Sequence, residues 1–192
     1  MAQSGETESS GGFQRMQEWN GEVPRAVETP VHYLIQVQAA QHPEAQAICS
    51  WDGNLTYSEL DKLSSRLACY LTTQGVAPET IVPLCFEKSK WTIVGLLAVL
   101  KAGGAFLLLD PSQPISRLQS IVQQTGATLA LSSAVCFGTC KTLVDCAFVV
   151  DAEVLLKLES GASCSSVSPN NAAYLIFTSG STGTPKGIIS ML

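Results

Sequence analysis

Residues 172–192 read AAYLIFTSGSTGTPKGIISML. An apolar, strand-like run, Ala172–Phe177, empties into ten residues built only from Gly, Ser, Thr, Pro and Lys. Thr178, Ser179, Ser181, Thr182 and Thr184 offer hydroxyls. Gly180 and Gly183 let backbone amides face a ligand with no Cβ in the way. Lys186 adds one mobile positive charge. Amides, hydroxyls and a lysine at a strand end form an anion cradle, for which phosphate is the usual occupant. The same composition also suits a plain surface turn, since small polar residues gather in loops. It is not a Walker A loop, which needs Gly directly before the Lys and Ser or Thr directly after it. Here Pro185 precedes Lys186 and Gly187 follows. A dinucleotide-binding glycine loop fits poorly too, because no further strand–helix unit follows the motif.

Upstream, helix-like and strand-like patterns alternate. Residues 55–75, LTYSELDKLSSRLACYLTTQG, carry Leu60, Leu63, Leu67 and Leu71 on one helical face. Thr56 and Glu59 form a capping box at its start, and Gly75 stops it. TIVPLCF (80–86) reads as a strand. SKWTIVGLLAVLKAGG (89–104) is a helix apolar on nearly all sides, which predicts burial. AFLLLD (105–110) is a strand, and PISRLQSIVQQTG (114–126) a helix begun by Pro114 at its first position. TLALSS (128–133) and AFVVDAE (147–153) are strands, and 157–171 is a polar loop. Short, continuous, Val-, Ile- and Leu-rich strands separated by helices predict an α/β fold, mostly parallel, with helices on both sheet faces.

Before this unit, VHYLIQVQAA (31–40) is a helix ended by Pro43. AICS (47–50) is a short strand, and the Asp-Gly of WDGN (51–54) is a hairpin signal. Residues 1–12 are polar and expected to be disordered. FQRMQEWNGEVP (13–24) reads as a linker with one amphipathic turn. The resulting division is 1–30 as disordered N-terminus and linker, and 31–192 as the domain.

Composition narrows the function classes. The chain has 192 residues, 46% of them hydrophobic, enough to bury a core. Only 14% are charged, which suggests a surface meant in part to be covered. Eleven Lys and Arg are scattered and the net charge is -5, so no nucleic-acid footprint exists. The longest apolar run, WTIVGLLAVL, is too short to span a bilayer, and the first residues do not form a signal peptide. Seven cysteines in this context read as reduced thiols of a cytoplasmic protein. Cys136, Cys140 and Cys146 have neither metal-site spacing nor a nearby His, so no metal site is expected.

Three stretches, in order, carry a resemblance. YLIFTSGSTGTPKG (174–187) resembles the phosphate-binding signature of the adenylate-forming superfamily, and in particular of nonribosomal peptide synthetase adenylation domains. LTYSELD (55–61) resembles the first core motif of those domains. LKAGGAFLLLDPSQP (100–114) resembles the second, in which a Val-Pro usually precedes the acid. AICSWDG, VPLCFEKSKW and LSSRLACYL resemble fungal members. The resemblance implies ATP- and Mg²⁺-dependent activation of an amino acid to an enzyme-bound aminoacyl-adenylate, with release of pyrophosphate. The amino acid then passes to the pantetheine thiol of a carrier domain.

By motif match, Thr178, Ser179, Gly180, Ser181, Thr182, Gly183, Thr184, Lys186 and Gly187 belong to the loop that handles the ATP phosphates. Lys186 contributes to chemistry there, and no catalytic set is complete within these residues. Gly103, Gly104, Asp110 and Glu59 are read as structural. In relatives the lysine loop leads through a short strand to a histidine, which GIISML lacks. The specificity pocket, the adenine contacts, the hinge and the C-terminal subdomain also lie beyond these motifs. The expectation is an N-terminal portion of such a domain, inactive alone and dependent on the remainder of the domain and on condensation and carrier domains. The enzyme status of the chain itself stays open on these residues. Two rival readings remain at this point: a non-catalytic docking or regulatory protein derived from the domain, and an unrelated phosphate-binding α/β protein.

Overall fold

Helices and strands do alternate as the patterns predict, and most strands pair in parallel. A computed structural model describes residues 8–21, 27–159, 167–178 and 186–191. Helix α1 spans Glu8–Trp19 and α2 spans Val31–Gln41. The reading of residues 8–19 as disorder followed by one amphipathic turn is thereby corrected: the stretch is a helix of three turns. Its glycines and serines hid it, because they carry no apolar period. The side chains of Phe13, Met16 and Trp19 are exposed along it.

Strands β1 (Gln46–Ile48) and β2 (Leu55–Thr56) pair antiparallel across the Asp-Gly turn, where Gly53 takes φ 119. Thr56 then caps α3 (Tyr57–Thr73). Its Oγ1 accepts from Glu59 N at 3.2 Å, and Glu59 Oε2 accepts from Thr56 N at 2.8 Å, closing the expected capping box. The turn before β1's partner also reaches forward. Asp52 accepts from Ser89 Oγ (2.6 Å) and from the amide of Lys90 (3.2 Å), at the N-terminus of α4 (Lys90–Ala102). A carboxylate there satisfies an orphan N–H and opposes the positive end of the helix dipole.

Strand β3 (Ile81–Cys85) precedes α4, and β4 (Ala105–Leu109) follows it. Next come α5 (Ile115–Thr125), β5 (Leu129–Ser132), α6 (Phe137–Cys140), β6 (Cys146–Val149) and α7 (Ala152–Lys157). Two short helices, α6 and α7, stand where the sequence reading had an unassigned stretch and a strand end. Asp151 Oδ1 accepts from Val154 N at 2.8 Å, so the acid read as part of a strand is the cap of α7. Pro114 is the N-cap of α5 rather than its first helical residue. The chain continues with β7 (Ala172–Thr178) and β8 (Lys186–Met191).

The main sheet has six strands in the order β6-β5-β3-β4-β7-β8. All neighbours pair in parallel except β7 with β8. Side chains alternate between the faces, as the pleat requires. Val82, Leu84 and Leu131 point to a core shared with Leu67 and Leu71 of α3, Val94 and Leu97 of α4, and Leu155 of α7. Cys85, Leu107, Leu109 and Ala130 point to the opposite core, closed by Leu118, Ile121 and Val122 of α5 and by Cys136 and Cys140. Helices therefore cover both faces. Each fully buried Leu or Val contributes roughly 1.5–3 kcal/mol over an exposed one, which explains how so apolar a helix as α4 is held.

One buried charge interrupts that helix. Lys101 is 4% exposed. Its Nζ lies 2.7 Å from Asp61 Oδ1, 2.8 Å from Ser64 Oγ and 2.9 Å from Ser65 Oγ, all on α3. Burial pulls its ammonium below the usual lysine range, and Asp61 opposes that pull.

Candidate phosphate-binding site

The phosphate-like motif straddles the β7–β8 hairpin. Register pairs Thr178 with Lys186 and Phe177 with Gly187, so the two ends of the loop are neighbours. Thr178 Oγ1 donates to the Lys186 carbonyl at 3.5 Å, and both residues are exposed. Ser179, Gly180, Ser181, Thr182, Gly183 and Thr184 lie outside the described residues. Gly187 has a packing reason of its own: a Cβ there would come 3.1 Å from Phe177 Cζ. The expectation that Gly187 serves the ligand is thus joined by a close approach of its backbone to the Phe177 ring within the hairpin.

The hairpin stands at the carboxyl edge of the parallel part of the sheet. After β3 the chain crosses to α4 on one face, and after β4 it crosses to α5 on the other. Where neighbouring parallel strands send their connections to opposite faces, their carboxyl ends are the general place for a ligand in this architecture. Parallel β7 lies directly beside β4, and Thr178 ends it at the same edge. The ladder between β4 and β7 has only two registered pairs, Phe106 with Tyr174 and Leu107 with Leu175. Beyond them a cleft of about 510 Å³ opens.

Phe106, Leu108, Tyr174 and Ile176 line this cleft, with Asp110 and Arg117 among its polar groups. Phe106 and Tyr174 stack with ring centroids 5.6 Å apart. Asp110 accepts from the Ser112 hydroxyl (2.7 Å), the Ser112 amide (2.9 Å) and Gln113 Nε2 (3.4 Å). Those bonds, the Ser112 hydroxyl first, hold its carboxyl below the usual carboxylate range. The sequence reading took Asp110 as a strand exit, which this turn supports. It missed Arg117 and the Phe106–Tyr174 stack. Arg117 lies one helical turn before buried Ile121, at the margin of the α5 core face, a position that periodicity marks without naming the cleft, while the stack depends on which strands are neighbours.

Cys85, rather than Cys146, sits with Cys136 and Cys140. Cys146 is exposed on β6, whereas the other three are buried. Hydrogen bonding with Cys140 and burial push the Cys85 thiol up. A protonated, inaccessible thiol is a packing group rather than a nucleophile.

The family model described as "AMP-binding enzyme" matches residues 35–190. The chain therefore belongs to the AMP-binding enzyme family. Among curated relatives, the nonribosomal peptide synthetase TES of Alternaria alternata is 49% identical over 177 residues, 91% of this chain and 3% of that protein. Synthetase dtxS1 of Metarhizium robertsii is 50% identical over 176 residues, covering 89% of this chain and 2% of its own length. The chain thus matches a small part of each. In fold it is similar to a crystal structure of the nonribosomal peptide synthetase FmoA3, with a TM-score of 0.80 and 24% identity over 91% of this chain and 18% of that one. It is also similar to VinN in complex with 3-methylaspartate, with a TM-score of 0.76 and 24% identity over 85% of this chain and 48% of that one.

No helix among the described residues is long and apolar enough to cross a membrane.

Proposed function

We propose that the chain supplies the phosphate-handling part of an amino-acid adenylation domain of the nonribosomal peptide synthetase type. The observation that carries this reading is the hairpin, whose ends Thr178 and Lys186 pair at the carboxyl edge of a parallel sheet, next to the cleft at β4. The identity of about half with fungal synthetases over nine-tenths of the chain supports it. In the reaction, an amino-acid carboxylate oxygen forms a bond to the α-phosphorus of ATP. The bond to the bridging oxygen breaks, and the electron pair leaves with pyrophosphate. Negative charge shifts onto the departing phosphates, so donors placed in advance stabilise the transition state.

Thr178, Ser179, Ser181, Thr182 and Thr184 would offer hydroxyls to those phosphates, Gly180 and Gly183 would open the backbone amides, and Lys186 would supply the charge. ATP is the substrate. Mg²⁺ would arrive with it, neutralising phosphate charge; among the described residues no His, Cys, Asp and Glu cluster is arranged to hold a metal by itself. Transfer to a pantetheine thiol would require a carrier domain, and condensation domains would act as further partners. Adenine and amino acid must be fixed as well, because positioning the carboxylate against the α-phosphorus supplies much of the barrier reduction.

Two measurements test this. Titration with Mg²⁺–ATP should show that Lys186→Ala weakens binding roughly tenfold, the scale of a lost charge-assisted hydrogen bond. Equal affinity of both proteins would contradict the role given to Lys186. Amino-acid-dependent exchange of pyrophosphate into ATP is expected to be undetectable for the 192-residue chain alone. In a synthetase carrying this sequence, the same substitution should lower the exchange rate more than amino-acid affinity.

A further inference from the structure

Glu79 is the non-glycine residue with positive φ among the described residues, at φ 69. It occupies the third position of a turn, Ala77–Thr80, closed by the Thr80 amide on the Ala77 carbonyl at 3.0 Å. Pro78 precedes it. That is a type II turn, whose third position calls for glycine. A glutamate there is strained by its Cβ. The strain coincides with a long-range contact. Glu79 Oε1 accepts from Asn171 Nδ2 at 2.9 Å and from the Ala172 amide at 3.2 Å, more than ninety residues along the chain. Asn171 is itself held. Its Oδ1 accepts from the Ser168 amide at 2.8 Å, and its own amide donates to the Ser168 carbonyl at 3.0 Å.

Ala172 is the first residue of β7, and Thr178 the last. On the side facing the rest of the sheet, β7 is held by a short ladder. β3 and β4 share five registered pairs, β4 and β7 only two, and the pairing with β8 is irregular between Ala172 and Tyr174. A slip of one residue would exchange buried Leu175 for exposed Ile176 and carry Thr178 off the sheet edge.

We propose that Glu79 is a positioning residue: it clamps the start of β7 from the amino edge of the sheet and so sets where Thr178 and Lys186 stand at the carboxyl edge. The loop's role in binding phosphate rests on the reading given above; the clamp itself does not.

Glu79→Gly separates clamp from strain, because glycine suits the turn while the carboxylate is lost. The test is amide hydrogen exchange on the 192-residue chain, with thermal melting and Mg²⁺–ATP titration of the same samples. Exchange at Tyr174–Thr178 and in β8 should quicken roughly fivefold, the effect of one net hydrogen bond, with 81–85 and 129–132 unchanged. Glu79→Gln keeps one acceptor oxygen and should fall between. Glu79→Ala keeps the strain without the clamp and should melt below Glu79→Gly. ATP affinity of Glu79→Gly should drop without a matching fall in melting temperature. Unchanged exchange at β7, or equal quickening in every strand, would overturn the clamp. If the wild-type chain binds no Mg²⁺–ATP, the phosphate-site reading fails, and the exchange pattern alone decides the clamp.

Discussion

His32, on α2, is 3% exposed, and its Nδ1 has no hydrogen-bond partner among the described residues. Burial, and then the charge of Lys101, lower its pKa from 6.5 to about 4. Asp61, beside Lys101, is the compensating acid of this cluster, and Tyr33 packs on the imidazole at 4.7 Å between ring centroids. Between pH 6.5 and about 4 the unfolded chain binds a proton at this position that the folded chain refuses. Stability therefore falls as pH drops through that window, by up to about 3 kcal/mol. Denaturant unfolding at pH 7 and pH 5 should show the loss in the wild type and a flatter dependence in His32→Gln. An identical slope in both proteins would remove His32 as the cause.

At the scale of elements, the paired glycines after α4 carry different duties. Gly103 takes φ 92 and ends the helix, and the Gly104 amide reaches back to the Val99 carbonyl at 2.9 Å. A Cβ on Gly104 would lie 2.8 Å from Val76 Cγ1 and 2.9 Å from the Thr80 carbonyl oxygen. Backbone cannot yield as a side-chain tip can. Gly104→Ala is expected to cost about 2 kcal/mol, read as a lower midpoint in urea with an unchanged slope. The sequence announced the helix stop, since two glycines after an apolar run say as much. It could not announce the close approach, which depends on the turn before β3 lying against the start of β4. The same division holds elsewhere. Thr56 and Glu59 are three residues apart, so their capping box was legible. Asp151 was not read as a cap because Val149 and Val150 before it and Val154–Leu156 after it look like one apolar run. The ten loop residues stood out by composition, whereas Arg117, Tyr174 and Glu79 acquire their places only when strands distant in sequence become neighbours.

Across the whole molecule, apolar side chains remain uncovered on one part of the sheet. Leu108, Ile176 and Ile188 share the face that carries α4, and each is more than half exposed. With only 14% charged residues, the surface offers little repulsion to oppose contact there. The chain in isolation is expected to bind a hydrophobic dye and to self-associate. Ile176 and Ile188 are cross-strand partners, so Ile176→Glu with Ile188→Lys would replace an apolar pair by an opposite-charge pair. The double variant should lose dye fluorescence and sediment as a smaller species. Unchanged values would place the sticky surface elsewhere.

The strand order also imposes a schedule on synthesis. β3 and β4 leave the ribosome together with the helix that joins them, and β5 and β6 then extend the sheet away from β4. The free side of β4 must wait for β7, about 60 residues later. At the usual pace of translation that is roughly three to twelve seconds. For that interval β4 is a bare sheet margin of Phe106 and three leucines, open to any extended segment nearby. The loop-bearing hairpin is thus the late-arriving guard of the nascent chain. A slowed codon run between β6 and β7 would prolong the hazard, and a chaperone that recognises extended apolar peptides would have its binding site at Ala105–Leu109.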